Sequence, residues 1–317
     1  MSWTLDGASH TSYSLAEGTG HSATRGVLFV LFLSILLGSA GFFAGQYQAQ
    51  KNVVFVGQTA RAVPQPVAAT PQPVQAAVAP AAQNFIDIQP VLDAWGKSHP
   101  KQQWGVVVKS LDGPSFAASY QADRQFELAS IYKLYLVVPL FQKVPLEKQS
   151  TTYVTVAGKK VSIADCLDRM IRNSDNACGE AIGSYVGWTK STKLLKQMGF
   201  THTSIVRNTG GILVSTPSDT VQLLEQLHGS LLPAAAREKV LSIMSQQRYR
   251  LGVPAGCPDC QVADKVGWLA TATNDAAIVK YSGGTYVLSI YSNNNSNFPA
   301  IADLTRQIHA AILAGQK

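Results

Sequence analysis

The apolar positions of this chain change their spacing three times, and each change marks a boundary. Gly26 to Gly45 is an uninterrupted apolar stretch without charge, long enough to cross a bilayer core as a helix. The reading assigns 1–25 to a short tail and 26–47 to a transmembrane anchor, with a cleaved signal peptide as the rival. Apolar residues then thin out, and Pro, Ala, Val and Gln dominate 48–84. Val63-Pro64-Gln65-Pro66-Val67 and Thr70-Pro71-Gln72-Pro73-Val74 describe an extended tether of about 3 Å per residue, with a reach of up to about 100 Å.

From 85 to 317 the pattern becomes that of one folded domain. An amphipathic segment, Ile86 to Trp95, is followed by strand-like runs at Trp104–Lys109 and Ser115–Tyr120, joined at Asp112-Gly113. A dense apolar run from Ile131 to Phe141 predicts a buried helix. Helical spacing continues from Ser162, a good N-cap, through Ile171, and again over Ala177–Val186, Thr216–Leu227 and Ala234–Met244. Strand patterns return at Gln261–Trp268, Asp275–Tyr281 and Tyr286–Tyr291, with Gly283-Gly284 turning the last pair. A final helix is expected over Pro299–Leu313. Strands and helices at both ends thus bracket a helical insert. The fold class is α+β: an antiparallel sheet flanked by N- and C-terminal helices, beside an all-helical subdomain.

Composition adds little. The formal net charge is +7, but basic residues are scattered without a basic helix or alternation with aromatics, which argues against nucleic acid. Four cysteines, 166, 178, 257 and 260, suggest disulfides outside the cell. Cys257 and Cys260 are the nearest pair. Cys166 and Cys178 either pair or stay as buried thiols. A zinc or redox C-x-x-C is the rival reading of the 257–260 pair, and none of the six histidines lies close to it in sequence. No metal or cofactor is expected.

Candidate chemistry comes from three strings: Ser130-Ile131-Tyr132-Lys133, Ser174-Asp175-Asn176 and Lys265-Val266-Gly267. A serine opening a helix lies beside backbone N–H groups that lack intrahelical partners, and three residues on, Lys133 shares its face. A lysine is a base only when neutral. Apolar burial or a second cation, here Lys265, brings that about, and the serine then becomes a nucleophile. A second serine–lysine spacing, Ser98 to Lys101, is broken by Pro100 and is followed by no apolar run. Ser174-Asp175-Asn176 falls in a turn before an apolar run, a place such residues also occupy for purely local reasons.

In this order the strings resemble the S-x-x-K, S-D-N and K-T-G elements of the penicillin-recognising serine enzymes, the class A β-lactamases and penicillin-binding proteins. The resemblance implies that Ser130 is the nucleophile and Lys133 its base. Ser174 would relay a proton to the leaving nitrogen, and Lys265 would give electrostatic support. Asn176, Gly267 and the backbone N–H of Trp268 would contact substrate, while Asp175 braces the loop. It also implies a β-lactam or peptidoglycan-peptide substrate and that the domain behind the membrane anchor faces outside, extracytoplasmic. Two departures stand out. Position 266 is valine, which cannot donate to a substrate carboxylate. Thr201 to Ser215, where class A enzymes carry the deacylating glutamate, contains neither Glu nor Asp; Asp219, just beyond, reads as a helix cap. Acylation with slow turnover is the leading expectation. A peptidoglycan D,D-peptidase and a non-catalytic cell-wall sensing module are the alternatives.

Overall fold

A computed structural model describes residues 85–206, 212–294 and 297–317. The tail at 1–25, the apolar segment at 26–47 and the tether at 48–84 lie outside them. Among the described residues no helix is long and apolar enough to cross a membrane.

In chain order the elements are α1 (Gln89–Ser98), β1 (Gln103–Asp112), β2 (Ala117–Tyr120), β3 (Phe126–Glu127), a 3-10 turn at Ala129–Ile131, and α2 (Tyr132–Lys143). Then come β4 (Tyr153–Val156), β5 (Lys159–Ser162), α3 (Ile163–Arg172), α4 (Asn176–Val186), α5 (Trp188–Gln197), β6 (Val214–Ser215), α6 (Pro217–His228) and α7 (Ala234–Ser245). The chain closes with α8 (Val253–Gly256), β7 (Gln261–Trp268), β8 (Thr273–Tyr281), β9 (Gly284–Asn293) and α9 (Phe298–Ala314).

Five strands form an antiparallel sheet in the order β2-β1-β9-β8-β7. The strands are apolar on both faces, as burial between two helical layers requires. One face packs Val106, Val108, Leu288 and Ile290 against Leu92 and Trp95 of α1 and Ile301, Leu304 and Ile308 of α9. The other packs Ile278, Val287 and Tyr291 against α6 and a helical layer centred on α2, where every residue from Tyr132 to Phe141 is buried. A helix apolar on all sides must be enclosed on all sides, so α2 became the centre of the second layer.

The α+β expectation therefore holds, with sheet and terminal helices as read. The second layer is not all-helical. Tyr153–Ser162 is a hairpin, Val154 pairing with Val161, and β3 pairs with β6. The hairpin turns at Ala157 and Gly158, with φ of 48° and 78°; two consecutive positive values match the right-handed strand twist.

Candidate active site

Ser130 sits in the 3-10 turn that opens α2, as the serine-to-lysine spacing requires. The segment is held from two sides. Asn274 of β8 donates through Nδ2 to the carbonyl of Glu127 at 2.8 Å, and the Leu128 N–H donates to the Leu213 carbonyl at 2.8 Å. Ala129 has a φ of 45°, a left-handed conformation that non-glycine residues seldom adopt without being held there.

Lys133 has no exposed surface. Its Nζ donates to the Ser174 carbonyl at 2.6 Å, to Asn176 Oδ1 at 2.7 Å and to Ser130 Oγ at 2.9 Å. Ser174 Oγ is 3.4 Å away. Lys265, also fully buried, donates to Ser174 Oγ at 2.8 Å and to the Val266 carbonyl at 2.6 Å. Ser174 thus lies between the two amines. It has a φ of 56°, and its carbonyl and hydroxyl both face the amines. Burial, then the charge of Lys133, pulls the Lys265 amine well below the ordinary lysine range, opposed by Asp264 and Asp275.

Asp175 braces the loop as expected. It caps α4 by accepting from the Cys178 N–H at 2.9 Å and pairs with Arg169 at 2.6 Å. Its carboxyl is held below the usual range: hydrogen bonds from Cys178 and Arg169 and the Arg169 charge outweigh burial, the largest single influence, which pushes the other way. Cys166 and Cys178 do pair, with Cα atoms 5.0 Å apart. That disulfide joins α3 to α4 across Ser174-Asp175-Asn176. Cys257 and Cys260 pair as well.

Gly267 lies close against the Ser130 segment. A Cβ there would stand 2.9 Å from the Leu128 carbonyl oxygen and 2.9 Å from the Ser130 nitrogen. Strand alternation places Lys265 and Gly267 on the α2 side. Val266 has no exposed surface and lies on the opposite face of the strand. The Trp268 side chain is exposed and packs edge-on between Tyr249 (4.7 Å) and Phe298 (5.9 Å).

Three positions escaped the sequence reading. Asn274 carried no local signal. Gly179 lets α4 lie on Lys133, since a Cβ there would meet Lys133 Cε at 2.8 Å; its spacing of three from Asn176 was the available hint. Asp219 is no cap. Thr216 caps α6, and Asp219 accepts instead from the His202 N–H at 3.0 Å and Thr203 Oγ1 at 2.7 Å.

The opposite face of β7 carries a second buried charge group. Arg250 donates to Asp264 Oδ1 at 2.6 Å, and Asp275 Oδ2 accepts from the Val253 N–H at 2.8 Å. Asp264 Oδ2 and Asp275 Oδ1 are buried without a hydrogen-bond partner. Burial pushes Asp275 up to about 7 and, together with the charge of Asp275, raises Asp264 well above the usual carboxylate range.

An antiparallel sheet between terminal helices and a helical layer, with serine, two buried lysines and a turn serine at its edge, defines a β-lactamase-like serine hydrolase fold. The sequence profile of the Beta-lactamase enzyme family matches residues 87–315, and the chain belongs to that family. Solved structures agree on the fold. A tryptophan-to-aspartate mutant of the class A β-lactamase of the last common ancestor of Gram-negative bacteria superposes with a TM-score of 0.64 at 20% identity, over 72% of this chain and 99% of that one. The β-lactamase of Sphaerobacter thermophilus gives 0.64 at 18%, over 73% and 98%. The TLA-3 extended-spectrum β-lactamase gives 0.64 at 19%, over 71% and 98%. No curated protein sequence matches.

Proposed function

We propose that the chain is a membrane-anchored, extracytoplasmic serine hydrolase that is acylated at Ser130 by β-lactams or related amides and releases the acyl group slowly. One observation carries the reading. Two short contacts of Lys133 Nζ go to oxygens that only accept, the Ser174 carbonyl and Asn176 Oδ1. In a neutral amine those two contacts use both N–H bonds. The lone pair then faces Ser130 Oγ at 2.9 Å, within reach for proton abstraction.

The steps follow. Lys133 takes the Ser130 proton as Oγ bonds to the carbonyl carbon. Negative charge gathers on the carbonyl oxygen, where the N–H groups of Ser130 and Trp268 serve as the oxyanion hole. The C–N bond breaks, and the leaving nitrogen receives the proton by way of Ser174 Oγ, whose charge environment Lys265 sets. With Asn176 Oδ1 committed to Lys133, the Asn176 amide NH2 is the group that faces a substrate carbonyl. Hydrolysis of the ester needs a positioned base, and 201–215 offers no carboxylate; its absence slows the step by roughly 10²–10⁴-fold.

That same absence favours a second reading, a peptidoglycan D,D-peptidase in which the acyl-enzyme passes to an amine or to water. Intact-mass measurement after penicillin exposure tests the proposal. The expected result is a one-to-one adduct that is lost in Ser130→Ala and persists for many minutes in the wild type. No adduct refutes acylation, and rapid clearance refutes slow turnover.

A further inference from the structure

Away from the cleft, the chain gathers three metal-ligating side chains where β7 begins. Cys257 Sγ, Cys260 Sγ and a ring nitrogen of His309 lie within 4.8 Å of one another. The C-x-x-C string supplies two of them, and α9 brings in the third from 49 residues further along. Cys260 and His309 are part-exposed, while Cys257 is buried.

The histidine-to-sulfur distance is that of two ligands on one metal. His309 Nε2 stands 3.8 Å from Cys260 Sγ. Two ligands of one tetrahedral zinc, at about 2.3 Å for sulfur and about 2.05 Å for nitrogen, stand about 3.6 Å apart. A disulfide sulfur is only a weak acceptor for an N–H, and His309 Nδ1 is buried with no partner at all. Ring contacts hold the imidazole in this pose, edge-on to Tyr281 at 5.3 Å and stacked near Tyr286 at 6.2 Å. An oriented imidazole without a strong hydrogen bond thus stands beside two sulfurs that could share a cation with it.

We propose that Cys257, Cys260 and His309 form a redox-gated site for a borderline-soft divalent cation of the zinc class, closed while the cysteines are disulfide-bonded and open once they are reduced. A dithiol reductant supplies two electrons and two protons and becomes a disulfide itself. The Cys257–Cys260 bond breaks to two thiols. The cation then displaces both thiol protons to solvent and takes the His309 Nε2 lone pair. The sulfurs must part to about 3.8 Å. The Cα atoms, 5.4 Å apart, allow this by side-chain rotation at Cys260. The fourth position lies on the part-exposed side, open to water. Bound metal fastens the start of β7 to α9, where the oxidised chain fastens only Cys257 to Cys260.

Cobalt(II) and zinc(II) test this in full-length protein reduced with dithiothreitol and desalted without air. The expected result is one equivalent of cobalt with a near-ultraviolet thiolate-to-cobalt band, displaced by zinc, and none in the oxidised protein. His309→Ala weakens binding at least tenfold. His309→Gln gives the same readout should the alanine variant not fold. The Cys257→Ser/Cys260→Ser double variant loses the band. The proposal is overturned if reduced wild type takes up no cobalt or if the histidine variants bind as tightly as wild type. It also fails if the double serine variant keeps the band, which would place the metal at Cys166 and Cys178.

Discussion

The two faces of β7 handle buried charge in opposite ways. On the α2 side, both amines are fully buried, yet each donates to oxygens at 2.6–2.9 Å. On the other side two carboxyl groups are equally buried, but Asp264 Oδ2 and Asp275 Oδ1 have no partner, and burial drives the pair toward protonation. Stranding an ionised group in the interior costs several kcal/mol. One face meets that cost with geometry and the other with a proton. Explicit partners fix atoms in place, which proton transfer needs. Protonation silences charge but leaves one oxygen of each carboxyl unheld.

The sharpest way to break the comparison is to remove the fixed partner. Lys133→Met keeps length and burial but deletes the base, and acylation of Ser130 by a penicillin is expected to slow by roughly 10²–10⁴-fold in quenched-flow mass measurements. A loss below tenfold would mean that the fixed geometry on this face does no chemistry. Next in size is the Cys166–Cys178 bridge, which stiffens only the α2 side. Replacing both cysteines with serine should lower stability by about 3 kcal/mol, the loop-closure value for so short a span. In urea melts the Asp264 face should be spared if the two faces are independent.

The third prediction concerns protonation. Asp275 sits near 7 in the folded chain against about 3.9 unfolded. The folded state therefore binds more protons between those values, and stability falls as pH rises from about 4 to about 7. Lys265, depressed by burial, acts in the opposite sense: its contribution grows with pH up to the ordinary lysine value. Because the charge of Asp275 also raises Asp264, the variant comparison reads the coupled carboxyl pair. Asp275→Asn can still accept from Val253 and should remove a decline on the order of 2 kcal/mol between pH 5 and 7, read by thermal melts. Parallel curves would show that the carboxyl is not protonated in the fold. The smallest effect is expected from Gly267→Ala. Its Cβ must displace the Ser130 segment, and an acylation loss of about tenfold with roughly 1 kcal/mol of stability would show how little slack the fixed face has. An unchanged rate would put slack there.

The sequence was most legible where one residue type has one local job. The strand runs in 261–291, Gly283-Gly284 at the hairpin, Ser162 as a cap and the helix opened by Ser130 all reflect short-range rules, and the folded chain obeys them. The site strings were found because spacing on a helix or strand is itself local. The rest depends on tertiary meetings that no window contains. His309 reaches the C-x-x-C pair only because α9 packs back on the sheet, and Asn274 reaches Glu127 across 147 residues. Asp219 stands where a cap would, but Thr216 takes that task and the 202–203 loop claims the carboxylate. The β4–β5 hairpin was hidden for another reason: Ala157-Gly158 is a weaker turn signal than Asn-Gly or Asp-Gly.

Ser174 occupies a backbone well that suits glycine, at a cost of about 1–2 kcal/mol for a residue with a Cβ. Glycine would relax the turn and delete the hydroxyl, while a relaxed serine would swing carbonyl and hydroxyl away from both amines. Anyone transplanting this arrangement into a designed scaffold must therefore carry over an uncomfortable bend and the staple that clamps it. The side chains alone would arrive without the shape that aims them.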